Sequence, residues 1–422
     1  MPTPADRSRI ADPDLAHDGL LAIQWARQHS PVVDSYLRDR LRDGALAGRR
    51  VALVVHLEAK TALLATVLAD AGAQVVVAGS NPLSTRDEIA AALVSEGIEV
   101  HSTRASGYPA WEKDLLAVAD SRPEFVIDDG AELTVRMARD RPQAYAQLQG
   151  VSEQTTTGVA RLESLHRSGR LPFPAMAANN AACKHLFDNR YGTGQSTIQA
   201  ILNLTNMLMP GKQVVVFGYG WVGRGLATYI RAMGGSPVVV EIDPIKALEA
   251  FMDGQRVATA DQALPTADFV ITATGGLRAV STRHFDMLAD GVILANAGHH
   301  DLEVDVEALA LAATAVTPVR DGIERFDMPD GRSVHVLAHG ALVNIAGGLG
   351  HPIEIMDLSF AVQGVGCHEL ARGGYPPGVH VIPLELDREI AAAKLAAHGL
   401  SVDVATADQV EDVDAFLGHH EA

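Results

Sequence analysis

Cysteine is scarce in this chain, with only Cys183 and Cys367 among its 422 residues. Neither belongs to a C-x-x-C pair, which argues against a disulfide framework and against a thiolate metal site. Long apolar runs are also missing, because no stretch would span a bilayer and the N-terminus lacks the apolar core of a secretion signal. We therefore expect a cytoplasmic protein with no membrane partner and no metal.

The chain also lacks a block of basic residues. Its 52 acidic residues outnumber 34 basic ones, for a formal net charge of −18. Nucleic-acid binding is disfavoured, because phosphates require clustered Lys and Arg side chains. The acidity is instead typical of a soluble protein. The length predicts about two to three domains.

Short β-branched runs alternate with helical patterns, which is typical of parallel, doubly wound sheets. Residues 8–48 are predicted to be helical. One set of strands is predicted at RRVALVVH, AQVVVAGSNP and PEFVIDDG, and a second at KQVVVFG, SPVVVEID, ADFVITATG and GVILANAG. The fold class is therefore α/β with two parallel-sheet domains. The amphipathic segment LDREIAAAKLAAHG predicts a packing helix or, alternatively, a dimer contact.

Three glycines form a G-x-G-x-x-G loop between a predicted strand and helix. Gly218 permits the tight turn, Gly220 lets a pyrophosphate approach the backbone, and Gly223 lets helix and strand pack closely. Glu241 ends the next strand, where a carboxylate accepts hydrogen bonds from ribose hydroxyls and repels a 2′-phosphate. The loop predicts a Rossmann domain that binds NAD in preference to NADP, although the nearby Lys246 weakens that preference.

Longer strings along nearly the whole chain resemble the S-adenosyl-L-homocysteine hydrolase family. They are SNPLSTRDE, DDGAELT, GVSEQTTTGV, KHLFDNRYGTGQS, GYGWVGRG, ANAGHHDLEVD and LVNIAGGLGHPIEIMDLSF. HLEAKTA and YGTGQS are similar to the short branch of that family, and the chain ends at FLGHHEA without the Lys- and Tyr-bearing tail of longer members. The resemblance implies a homo-oligomer, either a dimer or a tetramer. It also implies a substrate domain over 1–190, an NAD-binding Rossmann domain over 191–344 and a return to the substrate domain over 345–422.

The family chemistry uses NAD within one turnover. The resemblance implies that the 3′-hydroxyl of a nucleoside is oxidised to a ketone, which acidifies the C4′ hydrogen. The group on C5′ then leaves by elimination, water normally adds to the 4′,5′ double bond, and the ketone is reduced again. The partner is therefore expected to be a small-molecule nucleoside. Because a reactive ketone must be shielded from water, closure between the domains is expected, with hinges near 185–195 and 344–350.

Candidate catalytic residues follow from the matched strings. Lys184 and Asp188 are one helical turn apart, so a helix places them on one face. The resemblance implies that Lys184 is the base at the 3′-hydroxyl, that Asp129 removes the C4′ hydrogen, and that two histidines lie near C5′ and the nicotinamide, His56 and His299. A zinc reading of His299 and its neighbour is set aside, because the chain has no HExxH pattern and no cysteine partner there. The resemblance also implies substrate contacts at Glu58, Lys60, Gln154, His339 and His351, and cofactor contacts at Thr155, Thr156, Thr157, Asn189, Val222, Thr274, Ala297, Gly298 and Asn344.

The chain departs from the family mainly in strings that face the substrate. Gln154 stands where a second glutamate is usual, Glu132 replaces an aspartate, Ala341 replaces an arginine and His300 a phenylalanine. The strings for the cofactor are intact apart from Lys246. This distribution predicts a relative whose nucleoside differs in its sugar or leaving group.

The sequence does not decide which nucleobase the substrate carries. Glu58 only accepts hydrogen bonds and Lys60 only donates them, so the pair suits either an adenine or a 6-oxo purine.

Three functions remain after this reading. The first is a diverged dehydratase that forms a 4′,5′ double bond by loss of water from C5′ of an adenosine-like nucleoside, as in nucleoside-antibiotic biosynthesis. The second is a hydrolase of S-adenosyl- or S-inosyl-L-homocysteine. The third, a non-catalytic NAD-binding regulator, is disfavoured because the candidate catalytic residues are present. The departures favour the first.

Overall fold

The computed structural model describes residues 3–298 and 301–406, which form two α/β sheets flanked by helices. The strands β1 to β15 are, in order, Arg50–Val54, Gln74–Ala78, Glu99–Val100, Phe125–Asp128, Gly150–Glu153, Pro174–Ala177, Gln213–Phe217, Ser236–Val240, Arg256–Val257, Phe269–Thr272, Val292–Asn296, Ala315–Arg320, Ile323–Asp327, Ser333–Leu337 and Gly378–Val381.

Helices cover the faces of both sheets and connect successive strands. The helices α1 to α19 are Pro4–Arg7, Ala16–Gln28, Arg38–Arg40, Ala59–Asp70, Asp87–Ser95, Tyr108–Asp120, Glu132–Asp140, Pro142–Tyr145, Thr156–Arg167, Ala182–Lys184, Thr193–Thr205, Trp221–Ala232, Pro244–Met252, Ala260–Ala263, Thr282–Phe285, Val306–Ala312, Val343–Ala346, Ile353–Arg372 and Leu384–Ala397. Two segments are π-helical, Val32–Leu37 and His185–Gly192, and the second joins α10 to α11. No helix in the described ranges combines the length and the apolar character needed to cross a membrane.

The first sheet is parallel throughout, in the order β15-β6-β5-β4-β1-β2-β3. Its inner strands β1, β4 and β5 are buried apart from the first residue of β1, Arg50, as expected for apolar runs covered by helices on both faces. β15 pairs with β6, so the chain after residue 345 returns to this sheet. α19 packs against α18, which is the packing role predicted for it. The boundaries 1–190, 191–344 and 345–422 stay a prediction.

The second sheet has the order β12-β13-β14-β11-β10-β7-β8-β9 and is parallel from β14 to β9. β12, β13 and β14 pair antiparallel, which the sequence did not predict. The reason is that β12 is exposed along its whole length and carries Pro318, so it lacks the apolar pattern of a strand. The prediction of two mostly parallel α/β sheets is confirmed.

The N-terminal part is less continuously helical than predicted for residues 8–48. Arg9 is extended, and its N–H donates to Val100 O at 2.8 Å. α2 ends at Gln28, and Pro31, which has no N–H to continue the helix, precedes the π-helical segment Val32–Leu37.

Candidate active site

A cavity of about 340 Å³ lies where the carboxyl ends of strands from both sheets meet. Parallel strands of an α/β sheet end at one edge, and ligands bind in the crevice there. From the first sheet and its helices the cavity is lined by His56, Glu58, Asp129, Gln154, Thr155, Thr156, Thr157, Asn179, Lys184, Asp188, Asn189, His351, Met356 and Phe360. From the second sheet it is lined by Gly220, Trp221, Val222, Ala273, Thr274, Gly275, Ala297, Gly298, Leu342 and Ile345.

Asp129 and His56 form one polar cluster in this cavity. Asp129 follows β4 and His56 follows β1, and these strands are neighbours in the sheet. His56 Nε2 lies 3.4 Å from Asp129 Oδ2, and Ser80 Oγ donates to the same oxygen at 3.1 Å. Asp129 Oδ1 is buried and has no hydrogen-bond partner among the described residues. This oxygen is therefore able to accept a proton from a bound molecule.

Lys184 and Asp188 form a second cluster. Their side chains are almost fully buried, and Nζ lies 3.3 Å from Oδ2 of the carboxylate. His351 Nδ1 lies 2.7 Å from Asp188 Oδ1, and Ser359 Oγ donates to Oδ2 at 2.6 Å. Burial opposes ionisation of Asp188, but Lys184, His351 and Ser359 outweigh it and lower the pKa of its carboxyl group. Asp188 is therefore an anion that holds the Lys184 side chain in place.

A chain of hydrogen bonds leads from Lys184 to the cavity wall. Lys184 Nζ donates to Asn189 Oδ1 at 2.6 Å, Asn189 Nδ2 donates to Asn179 Oδ1 at 3.3 Å, and Asn179 Nδ2 donates to Thr156 Oγ1 at 3.1 Å. Because Lys184 Nζ donates to the first amide oxygen, the direction of the amides that follow it is fixed. Asn179 was not selected from the sequence, although it lies only a few positions before Lys184.

A buried glutamate positions the loops that carry these clusters. Glu153 accepts hydrogen bonds from the backbone N–H groups of Gly130, Ala131 and Thr155, at 2.7–2.9 Å. Burial, with the charges of Asp128 and Asp129, raises the pKa of Glu153 well above its usual value. This role has no local signature in the sequence, because it depends on partners that only the fold brings to the end of β5.

Only one member of the pair Glu58 and Lys60 reaches the cavity. Lys60 Nζ donates to His351 O at 2.7 Å and to Leu349 O at 3.3 Å, and it lies 2.8 Å from Glu58 Oε2. Lys60 is buried and does not line the cavity, whereas Glu58 does. The substrate contact predicted for Lys60 stays a prediction, and its Nζ is held by the backbone carbonyls of Leu349 and His351.

The glycine loop fits a dinucleotide. Gly218 has φ +96°, which glycine adopts without strain, and a Cβ on Gly223 would meet Gly218 O at 2.0 Å. Gly220 lines the cavity, and a Cβ there would meet nothing within 4 Å, so open space lies beside its backbone. Glu241 accepts from Tyr219 N at 2.7 Å and keeps further acceptor capacity at the end of β8.

A second buried glutamate supports the cofactor side. Glu303 accepts from Thr274 N at 2.9 Å and Gly275 N at 2.8 Å, and a Cβ on Gly298 would meet its carboxylate at 1.6 Å. The loops after β10 and β11 are thereby held against each other at the cavity. Like Glu153, this residue was missed by the sequence analysis.

Several predicted site residues do not line the cavity. His339 is 67% exposed in its side chain and lies 2.8 Å from Glu324 Oε2, so it faces away from the site. Lys246 is exposed on α13, and Asn344 is buried behind the cavity, where it donates to Ser196 Oγ at 3.0 Å. Gly218, Gly223 and Glu241 shape the glycine loop from outside the lining. His299 lies outside the described residues, as does its neighbour His300.

Comparisons with known proteins agree with this geometry. The family model for the S-adenosyl-L-homocysteine hydrolase domain matches residues 7–144, and the model for the NAD-binding domain of the same family matches residues 189–350. The chain belongs to the S-adenosyl-L-homocysteine hydrolase family. It is 45% identical over 406 residues to an S-inosyl-L-homocysteine hydrolase of Methanopyrus kandleri, which covers 95% of this chain and 96% of the relative. It is 44% identical over 393 residues to an adenosylhomocysteinase of Thermotoga maritima (93% and 97% coverage), and 42% identical over 418 residues to one of Nostoc sp. (98% of both).

Membership in the S-adenosyl-L-homocysteine hydrolase family settles the cofactor and the class of enzyme. The chain is an NAD-dependent enzyme of the adenosylhomocysteinase type. When bound, NAD would supply a hydride acceptor for the substrate, which is a task of the cofactor itself. Within the described ranges, no group of three or more His, Cys, Asp or Glu side chains is arranged to hold a metal ion.

Proposed function

We propose that this protein hydrolyses an S-ribonucleosyl-L-homocysteine, with adenosine or inosine as the nucleoside, to the free nucleoside and L-homocysteine. The observation that carries the proposal is the convergence of Lys184, Asp129 and His56 on one cavity that also contains the glycine loop. Relatives at 42–45% identity carry the names S-inosyl-L-homocysteine hydrolase and adenosylhomocysteinase, which supports the same reaction here.

In this proposal each cluster handles one proton. Lys184, held by Asn189 and Asp188, takes the proton of the 3′-hydroxyl as C3′ is oxidised. Asp129 takes the C4′ proton on its unpartnered Oδ1, which lies in the same cavity. Both steps then run in reverse after water has added, so that neither residue is consumed.

His56 is placed to serve the C5′ position. Loss of homocysteine breaks the C5′–S bond, the sulfur leaves with the bonding electrons, and the thiolate takes a proton. Water then adds across the C4′–C5′ double bond, with its oxygen on C5′. His56 lies 3.4 Å from both Asp129 Oδ2 and Ser80 Oγ, so its imidazole has nearby partners for passing on a proton.

Glu58 lines the cavity, which supports it as the residue that contacts the nucleobase of the substrate. Its carboxylate only accepts hydrogen bonds, so it pairs with the N6 amino group of adenine or with the N1–H of hypoxanthine. Adenine offers this donor at N6 and hypoxanthine at the adjacent N1, so one carboxylate suits the nucleosides in both of the relatives' names.

The relatives favour hydrolysis over the dehydratase predicted first from the sequence. Their names describe cleavage of a thioether, and none of these names describes loss of water. The departures at Gln154 and Glu132 are real, but they leave the proton-transfer residues in one cavity.

Product analysis with the purified, NAD-loaded protein tests the proposal. S-adenosyl- and S-inosyl-L-homocysteine are supplied in parallel, and free thiol and nucleoside are measured. We expect stoichiometric homocysteine and nucleoside from at least one of them. A 4′,5′-unsaturated nucleoside formed from the free nucleoside, with no thiol released from either thioether, would contradict hydrolysis and restore the dehydratase.

We also propose that the chain forms a homo-oligomer. α13 carries large apolar side chains that are 60–76% exposed, namely Ile245, Leu248, Phe251 and Met252. Such a patch is typical of a protein contact. Light scattering on the NAD-loaded protein should give the mass of a dimer or tetramer, and a monomer would contradict this.

A further inference from the structure

A second cavity, of about 260 Å³, adjoins the first. The two cavities share His56, Leu342 and Ile345 as lining residues. Under the proposed function His56 serves C5′, so the second cavity lies beyond the carbon that loses its substituent. A water molecule as leaving group would need no such chamber, whereas a larger leaving group would. We call it the tail chamber.

Two arginines and one glutamate dominate a wall of the tail chamber. Arg161 Nη1 donates to Glu132 Oε1 at 2.8 Å and to Gly130 O at 2.6 Å, and Arg136 donates to Glu132 O at 3.0 Å and to its carboxylate. The Arg136 guanidinium also lies over the Trp111 ring, 4.4 Å from its centroid. The side chains of Arg136 and Glu132 are largely buried, with 16–17% exposure, and that of Arg161 is partly buried, with 37% exposure.

The lining of the chamber also includes a second carboxylate. Asp301 lines the chamber and accepts a hydrogen bond from Tyr108 OH at 3.1 Å. The lining thus contains two guanidinium groups and two carboxylates, and their formal charges cancel. A neutral chamber with separated positive and negative groups favours a zwitterion over a molecule with net charge.

We propose that the tail chamber binds the α-amino-acid end of the leaving group, with its carboxylate on Arg161 and its ammonium on Asp301. This inference rests on the proposed function. The hydrogen bonds described for Arg161 leave from Nη1 alone, so Nε and Nη2 present a fork that matches a carboxylate. Glu132 is a positioning residue, because it holds both arginines at the wall.

Ala341 also lines the chamber and brings no charge to it. The carboxylate of the tail therefore depends on Arg161, and Arg136 adds a second positive charge to the lining.

The reverse reaction, in which the nucleoside and L-homocysteine form the thioether, tests the chamber. In this direction the KM for each of the two substrates is measured separately. With NAD-loaded Arg161→Met, the KM for L-homocysteine should rise about 10- to 100-fold, since one charge-assisted hydrogen-bonded pair is lost. The KM for the nucleoside, and the reduction of bound NAD by the nucleoside alone, should not change. Arg167→Met is the matched control, because Arg167 lies on the same helix α9 with a side chain that is 69% exposed. It should behave like the unmodified protein.

Truncated thiols separate the two ends of the tail. With 3-aminopropanethiol, which lacks the carboxylate, Arg161→Met and the unmodified protein should have equal KM values. With 4-mercaptobutanoate, which lacks the ammonium, Asp301→Asn and the unmodified protein should likewise have equal KM values. For L-homocysteine, the KM of Asp301→Asn should be higher than that of the unmodified protein. A KM for L-homocysteine unchanged by Arg161→Met, or raised equally for the thiol without carboxylate, would overturn the assignment.

A second measurement tests the chamber independently of the proposed function. If neither thioether is hydrolysed by the unmodified protein, the proposed function fails, and calorimetry then measures L-homocysteine binding to the NAD-loaded protein directly. Binding that Arg161→Met weakens and Arg161→Lys weakens less supports the chamber in that case. Absence of any binding by the unmodified protein would overturn it.

Discussion

The two oxygens of Asp129 have different surroundings. Oδ2 accepts from Ser80 and lies near His56, whereas Oδ1 is buried without a hydrogen-bond partner among the described residues. Leaving a buried acceptor unsatisfied costs about 1–3 kcal/mol, and such groups in native proteins usually have a functional reason. The arrangement suits a catalytic base, because Ser80 and His56 position Oδ2 while Oδ1 is free to accept a proton from the substrate.

Replacing Asp129 with Asn should therefore separate two steps. Reduction of bound NAD by the substrate should persist, but exchange of the C4′ hydrogen with solvent deuterium should slow by about 10²- to 10⁴-fold, because an amide is not a base. Mass spectrometry of recovered substrate measures the exchange. Asp286→Asn, at an exposed position, is the control. Exchange at the unmodified rate would refute the assignment.

Lys184 has a different expected phenotype. Lys184→Met should retain NAD, because the glycine loop and the loops held by Glu303 do not depend on it. Reduction of the bound cofactor by substrate should fall by about 10²- to 10⁴-fold, since the base for the 3′-hydroxyl is missing. The near-ultraviolet absorbance of reduced nicotinamide measures the reduction of the bound cofactor. Lys113→Met, at an exposed position, is the control. Normal reduction by Lys184→Met would exclude Lys184 as this base.

The lowered pKa of Asp188 makes the stability of the protein depend on pH. Its folded-state pKa is lowered below the ordinary value of 3.8, so its contribution is fully present above that value and is lost as the pH falls further. Asp188→Asn should lower the free energy of unfolding by about 3–5 kcal/mol at pH 7, because Lys184 loses its buried partner. The difference from the unmodified protein should narrow below pH ~4, because the Asp188 carboxylate of the unfolded chain takes up a proton there while the folded-state carboxylate, with its lowered pKa, stays ionised to lower pH.

Denaturant unfolding of the NAD-loaded protein at a series of pH values measures this difference, with exposed Asp18→Asn as the control. A gap between Asp188→Asn and the unmodified protein that stays constant down to acid pH would show that the charge of Asp188 is not what stabilises the pair.

At the scale of elements, two glycines, one on each side of the dinucleotide loop in the sequence, allow the helix after that loop to pack closely against the catalytic segment. A Cβ on Gly225 in α12 would meet Arg190 O at 1.9 Å, and one on Gly194 in α11 would meet the backbone of Gly225 at 2.7 Å. Arg190 lies in the π-helical segment His185–Gly192, which carries Asp188 and Asn189. Close backbone packing thus fixes the catalytic side chains relative to the helix that follows the glycine loop.

Gly225→Ala should accordingly destabilise the protein by about 1–3 kcal/mol, because the contact is backbone against backbone and has no side chain that could turn aside. A lower thermal unfolding midpoint of the NAD-loaded protein is the expected result. Thr228→Ala, on the exposed side of the same helix, should leave the midpoint nearly unchanged. An unchanged midpoint for Gly225→Ala would contradict the packing described.

Elements with a local signal were predictable from the sequence, and those that depend on distant partners were not. Strands β1, β2, β4, β7, β8, β10 and β11 have β-branched runs, and the glycine loop has its own spacing. β12 has an exposed, proline-bearing sequence and is a strand only because β13 pairs with it. Likewise Lys60 was predicted to contact the base, but carbonyls nearly three hundred positions away hold its ammonium.

At the scale of the whole molecule, one segment joins the last strand of the second sheet to the long helix of the first. Residues 347–351 connect α17 to α18, and cations from the first sheet's side hold its carbonyls. Arg86 Nη2 donates to Gly348 O at 2.9 Å, and Lys60 Nζ donates to Leu349 O and His351 O. A Cβ on Gly350 would lie 3.2 Å from Glu58 Oε2, so the same segment covers the proposed base contact. We propose that this segment is a hinge for domain closure.

Arg86→Ala should then alter closure without touching the reacting atoms. Because the hinge segment also carries His351, its displacement should reduce kcat and change KM together, for a loss of about 10- to 100-fold in kcat/KM. Steady-state kinetics and the rate of NAD reduction after rapid mixing measure the two effects, with exposed Arg104→Ala as the control. A change confined to KM, with the rate of NAD reduction at saturation unaltered, would show that Arg86 only helps to bind the substrate. In that case closure would have to be governed by the other connection between the sheets, the π-helical segment His185–Gly192.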